Sequence, residues 1–276
     1  MTTDPQALLA SVPLQGIDTR LGRVQFRAAG AGRAVTHVLL HGIGSASASW
    51  VGQLAAASGR ADLRVVAWDA PGYGESAALA TSAPDSGQYA ERLWAWLDAL
   101  GASGPVVLVG HSLGALMAAK AAVLAPQRVE RLVLLAPARG YGDANEEERR
   151  TKLETRLASL HRLGPEGMAA ARCAHMLSPG AAPELVEAVR ATMAQIRVSG
   201  YEQAARMLAG GTLLRDLALL ECPISVASGE ADGITPPQAC DQVALAARQP
   251  RISLGPVGHA CALEAADAVN TLLGLK

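Results

Sequence analysis

Short apolar runs recur along the chain, each closing at or near a Gly, Asp or Pro: Val35 to Leu40, Leu63 to Trp68, Val106 to Val109, Leu132 to Leu135, Ile224 to Ala227, and the weaker Ile252 to Leu254. Strands covered by helices on both faces read as continuous apolar runs of this kind rather than as alternation. The segments between them carry helical periodicity. Gln88 to Leu100 sets Leu93, Trp96, Leu97 and Leu100 on one face, Leu113 to Leu124 is Ala-rich, and Pro236 to Ala247 and Cys261 to Leu273 follow the same habit. Strands alternating with helices predict an α/β fold with a mostly parallel, doubly wound sheet. Ahead of it, Ile17 to Arg20 and Val24 to Arg27 flank Gly22 and predict a hairpin.

Between Arg139 and Gly211 the rhythm changes, with no strand-like run and four helical stretches in succession. Asn145 with Glu148 three residues later predicts a capped helix carrying Leu153, Leu157 and Leu160 inward and closing at Gly164-Pro165. Pro183 opens another, with Leu185, Val189, Met193 and Ile196 in phase. The expected organisation is a sheet-bearing core, 1–138 and 212–276, interrupted by an all-helical cap, 139–211. An insertion directly after a strand sits at the carboxyl edge of a parallel sheet, where ligands bind, so it is expected to act as a lid.

Composition narrows the partners. The 276 residues are half apolar and 18% charged, with 24 basic against 25 acidic side chains, so nucleic acid and acidic membranes are not expected partners. Ala99 to Ala119 lacks Asp, Glu, Lys and Arg over a length that could span a bilayer, but five glycines and prolines interrupt it and the pattern is that of strand, turn and buried helix. Cys173, Cys222, Cys240 and Cys261 show no C-x-x-C spacing, which fits reduced thiols rather than zinc or a disulfide framework. Met1 to Val12 has Asp4 and no basic residue before its apolar stretch, unlike a secretory leader, so a cytoplasmic location is expected.

The chemistry centres on Gly110-His111-Ser112-Leu113-Gly114, which follows a strand and opens a helix. Two glycines let the backbone turn sharply beneath a serine presented at the top of the sheet. A serine hydroxyl needs a base, and a histidine base needs a carboxylate to fix its tautomer and stabilise its charge. His259, after the last strand-like run, and Asp232, in Gly229-Glu230-Ala231-Asp232-Gly233 after the run Ile224 to Ala227, lie at the same carboxyl edge. Ser112 as nucleophile, His259 as base and Asp232 as its partner are the predicted catalytic residues. Gly42-Ile43-Gly44-Ser45-Ala46-Ser47 imitates a dinucleotide fingerprint, but Ser47 replaces its third glycine.

With these motifs in place the sequence resembles the α/β-hydrolase superfamily over nearly all its length. His41-Gly42-Ile43-Gly44 resembles the superfamily's oxyanion loop, and Asp69-Ala70-Pro71-Gly72-Tyr73-Gly74-Glu75-Ser76 its D-x-P-G-x-G-x-S turn. The resemblance implies that the Ile43 and Leu113 amides hold the oxyanion, a contribution of roughly 3 to 4 kcal/mol per donor in comparable sites. His41 is then expected to brace that loop.

Serine at the elbow excludes the aspartate chemistry of the similar haloalkane dehalogenases and epoxide hydrolases. It implies acyl transfer to water, with no metal or organic cofactor. Tyr201 to Pro237 looks like the corresponding stretch of 3-oxoadipate enol-lactonases and related small-molecule esterases, so a small ester or lactone is the expected substrate. The C–C bond hydrolases of ring-fission products are the alternative, although they usually carry Asn before the nucleophile and Trp after the base, where this chain has His111 and Ala260. A non-catalytic ligand receptor on the same fold is the alternative of another class. Trp50, Tyr201, Met207 and Leu208 are expected to line a modest apolar pocket. Arg139 could meet a substrate carboxylate or remain solvated, and self-association into a homo-oligomer stays open.

Overall fold

The computed structural model describes residues 4–276. Met1 to Thr3, the start of the segment weighed above as a leader, lie outside the described residues. Helix α1 (Pro5–Ser11) follows, with the Asp4 side chain accepting from the Gln6 amide as its N-cap.

The predicted hairpin is present as β1 (Gln15–Thr19) and β2 (Gly22–Ala29). The apolar runs become β3 (His37–Leu40), β4 (Val65–Trp68), β5 (Val106–His111), β6 (Val129–Leu135), β7 (Ile224–Ser228) and the short β8 (Arg251–Ser253). Among the described residues they form one eight-stranded sheet in the order β1-β2-β4-β3-β5-β6-β7-β8, with β1, β2 and β4 antiparallel to their neighbours in turn and all pairs from β4 to β8 parallel. Successive side chains of a strand point to opposite faces, which explains why these runs need to be apolar throughout. Val38, Leu40, Val66, Trp68, Leu108 and Leu134 pack on one side against α3 (Ser86–Ala99) and α4 (Gly114–Leu124). Leu39, Val65, Ala67, Val107, Val109 and Val133 pack on the other against Leu54 of α2 (Val51–Ala57) and against Val269 and Leu273 near the C-terminus.

Between β6 and β7 the chain is helical, as expected: α5 (Glu146–Arg172), a 3₁₀ turn over Cys173–Met176, α6 (Pro183–Ala194), α7 (Val198–Gly210) and the short α8 (Leu213–Leu217). Asn145 caps α5, its side chain accepting from the Glu148 amide at 2.9 Å. Gly164, with φ 64°, breaks the helical path where closure was predicted, but the chain does not stop there. Pro165 starts a second helical segment, because a first-turn residue needs no amide donor. Two further differences stand out. The patterning gave no helix between the first two central strands, where a 3₁₀ turn (Ser47–Trp50) and α2 form. After α9 (Pro237–Ala246), the helix expected over Cys261 to Leu273 is two, α10 (Cys261–Glu264) and α11 (Ala266–Leu273), separated at Ala265.

Candidate active site

Ser112 sits between β5 and α4 with φ 52°, a left-handed conformation that costs a non-glycine residue energy and is held here by its surroundings. Its amide donates to the Leu135 carbonyl at 2.9 Å, and its own carbonyl accepts from the Ala138 amide at 3.1 Å. Glycines make the close packing feasible. A methyl at Gly42 would lie 2.9 Å from the Ser112 Cβ, and one at Gly110 would lie 2.7 Å from the Ala115 Cα.

His259 and Asp232 come from loops after β8 and β7. Those loops are joined backbone to backbone, the Glu230 and Ala231 amides donating to Gly255 and Val257 carbonyls at 2.9 and 3.0 Å. The His259 Nδ1 lies 2.9 Å from Asp232 Oδ2, with both side chains almost fully buried. Asp232 Oδ1 accepts from the Ile234 and Thr235 amides at 2.8 and 2.9 Å, and the Thr235 hydroxyl lies 2.8 Å from Oδ2 and 3.2 Å from His259 Nδ1. Burial acts to raise the Asp232 carboxyl, yet the His259 hydrogen bond and charge, with the Thr235 donors, hold it below the usual carboxylate range. Asp232 is therefore an ionised acceptor, and with Nδ1 engaged the His259 Nε2 is left without a protein partner among the described residues.

His111 ties this assembly to the elbow. Its Nε2 donates to the His259 carbonyl at 2.8 Å, and the two rings lie 4.8 Å apart between centroids. Burial first, and the neighbouring His259 second, push the His111 imidazole down to about 3, so it stays neutral and keeps the donor in place. His41 braces the adjacent loop as expected, Nδ1 donating to the Gly42 carbonyl at 2.8 Å while Nε2 accepts from the Ala70 amide at 3.0 Å.

A cavity of about 480 Å³ opens over these residues. Ser112, His259, Ile43 and Leu113 line its floor, and Tyr201, Leu208 and Met193 come from the helical insertion. Among the described residues neither the Ile43 nor the Leu113 amide has a protein acceptor. Ile43, Leu113 and Ser112 thus line one space. Arg139 lines the cavity from an exposed position, with Nη1 donating to Gln242 Oε1.

Two expected pocket residues are corrected. Trp50 is fully buried in the core, edge-on to His111, and does not line the cavity, because the 3₁₀ turn that ends with it directs the indole inward. Met207 also faces the core. In a helix of 3.6 residues per turn, Leu208 falls on the Tyr201 face while Met207 is turned away from it. Arg156, Arg172 and Thr235, by contrast, belong to the site and were not singled out from the sequence. Only the Asp232-Gly233-Ile234-Thr235 turn carried a local signal, an aspartate positioned to accept amides two and three residues on.

Among the described residues no helix is long and apolar enough to cross a membrane. The sequence pattern of the Alpha/beta hydrolase family matches residues 38–272. RutD of Klebsiella pneumoniae, a carbamate hydrolase by name, is 30% identical over 86% of this chain and 88% of its own length. The dihydrolipoyllysine-residue acetyltransferase component of the acetoin cleaving system of Pseudomonas putida is 41% identical over 39% of this chain, which spans only 28% of that longer protein. In shape, the enol-lactonase of Burkholderia xenovorans LB400 matches with a TM-score of 0.81, covering 95% of this chain and 99% of the other at 21% identity, a likeness of fold.

Proposed function

The chain belongs to the alpha/beta hydrolase family, and from that premise we propose that it is a serine hydrolase cleaving a small ester or lactone through an acyl-enzyme, with residues 139–211 as its lid. The observation that carries this reading is the convergence of Ser112, the Asp232-bound His259 and two unpartnered amides on one cavity. In the cycle, His259 Nε2 takes the Ser112 proton as Oγ attacks the substrate carbonyl. The carbonyl oxygen gains charge and is held by the Ile43 and Leu113 amides. Asp232 stabilises the imidazolium, which then protonates the leaving oxygen as its bond to the acyl carbon breaks. Water, deprotonated by the same imidazole, attacks the acyl-enzyme and releases the acid and Ser112.

A fluorophosphonate probe tests the nucleophile. Wild type should label and Ser112→Ala should not, while hydrolysis in a panel of short-chain esters, lactones and vinylogous diketones should fall by about 10⁴-fold or more in the variant. Absent labelling of wild type, or equal labelling of both proteins, would favour a non-catalytic receptor. Turnover confined to the diketones would favour C–C bond cleavage.

A further inference from the structure

The roof of the cavity carries charge that the proposed reaction leaves unused. Arg156 and Arg172, both on α5, line the cavity and are half-buried. Among the described residues neither forms an ion pair, and neither donates to a backbone carbonyl as the likewise unpaired Arg27, Arg92 and Arg131 do. A guanidinium presents five donors, and Arg156 spends one of them, on the Tyr201 hydroxyl at 3.3 Å. Half-buried cations without a counter-charge are costly to hold away from water. The lining also contains Asp143, paired with Arg215, and exposed Glu148. Three guanidiniums, counting Arg139, outnumber these two carboxylates, one of which Arg215 already neutralises, so the lining carries net positive charge that suits an anion.

Tyr201 supplies the measure. Its buried ring lies against the oxyanion loop, where a methyl at Gly44 would be 3.6 Å from Cε2, and its hydroxyl meets Arg156. The guanidinium therefore stands across the hydroxyl-bearing edge of one tyrosine ring from the loop whose amides would receive the reacting carbonyl oxygen. We infer that the enzyme selects acyl compounds bearing a carboxylate a few carbons from the scissile carbonyl, and that Arg156 and Arg172 bind that carboxylate. The inference rests on Ser112 as nucleophile only for the position of the carbonyl. Guanidinium forks match carboxylates in geometry as well as charge.

The test pairs catalysis with binding. For p-nitrophenyl esters of monomethyl glutarate and of free glutarate, matched except for the charge, wild type should favour the charged ester in kcat/KM by about 10-fold or more. Arg156→Gln and Arg172→Gln should each lower kcat/KM for the charged ester about 10- to 100-fold and leave the neutral ester within about twofold. Arg190→Gln, at an exposed pair outside the cavity, should change neither. Calorimetry on Ser112→Ala reads binding without turnover: monomethyl glutarate should bind, dimethyl glutarate should not, and adding Arg156→Gln should abolish the binding. Equal rates for both esters in wild type, unaltered by either arginine variant, would overturn the inference while leaving the serine mechanism standing. Binding of the mono-anion without hydrolysis of any ester would do the reverse. Tighter binding of propyl phosphate than of monomethyl glutarate would overturn the assignment to a carboxylate.

Discussion

At the scale of single residues, buried imidazoles govern how the site responds to pH. His111 is held at about 3, against an ordinary value of 6.5, and burial also pushes His41 and His37 down. Below pH 6.5 the unfolded chain takes up a proton at His111 and the folded chain, down to about 3, does not; His41 and His37 act in the same direction. The stability His111 contributes is therefore complete above about 6.5 and is lost as pH falls towards the folded value, by an amount approaching ~1.4 kcal/mol per pH unit. Urea midpoints should stay level from pH 7.5 to about 6.5 and drop steadily from there to pH 5.5, and His111→Gln should show a shallower drop. A midpoint unchanged over that range would contradict the neutral, donor-bearing His111 described here. Thr235 works at the same scale, because its hydroxyl sits within hydrogen-bond reach of both the Asp232 carboxylate and the His259 ring.

At the scale of elements, the elbow depends on how closely α4 approaches the end of β3. A methyl at Gly114 would lie 2.8 Å from the Leu40 carbonyl carbon and 2.9 Å from the His41 carbonyl oxygen, both backbone atoms with nowhere to go. Gly114→Ala should cost about 1–3 kcal/mol of stability or more, read as a lowered urea midpoint. It should also depress kcat in the folded fraction, because relief of the clash separates the Ile43 and Leu113 amides. The same element shows what sequence can and cannot reveal. Strand, turn and helix around Ser112 were legible because β5 is apolar on both faces and glycines flank the serine, and β3, β4, β6 and β7 were legible for the same reason. Helix α2 was not: its Val51-Gly52-Gln53-Leu54-Ala55-Ala56-Ala57 lacks both a capping side chain and a polar stripe, and Gln53 is buried. The pocket face of α7 was half legible. Helical phase sets Leu208 on the Tyr201 face and turns Met207 away, but all three side chains are apolar and buried, so apolar character alone does not separate them. Arg156 and Arg172 lie 16 positions apart across the Gly164 break, so no local pattern links them.

At the scale of the whole molecule, two of the joints between the helical insertion and the core carry particular weight. One runs beside His259: the Glu264 carboxylate accepts from the Gly258 amide at 2.8 Å and from the Ser178 amide at 3.1 Å, and the Ala260 amide donates to the Met176 carbonyl at 2.7 Å. The loop bearing His259 and the insertion are thus fastened to the same carboxylate. The other brings two glycines together, flanked by Arg197 donating to the Gly74 carbonyl and Gln203 donating to the Leu79 and Thr81 carbonyls. A methyl on Gly72, in the turn after β4, would lie 2.6 Å from the Gly200 Cα, and one on Gly200 would meet the Gly72 backbone in return. Gly72 needs its φ of 83°, so Gly200 is the cleaner position to alter. Gly200→Ala should raise kcat/KM for branched or longer acyl chains relative to the shortest, measured across an ester series, with a flat ratio as the contrary result. On that expectation the height of the cavity depends on two missing methyl groups. A single added carbon at that joint would work as a shim, and a change in diet could come to such a protein without any alteration of its chemical machinery.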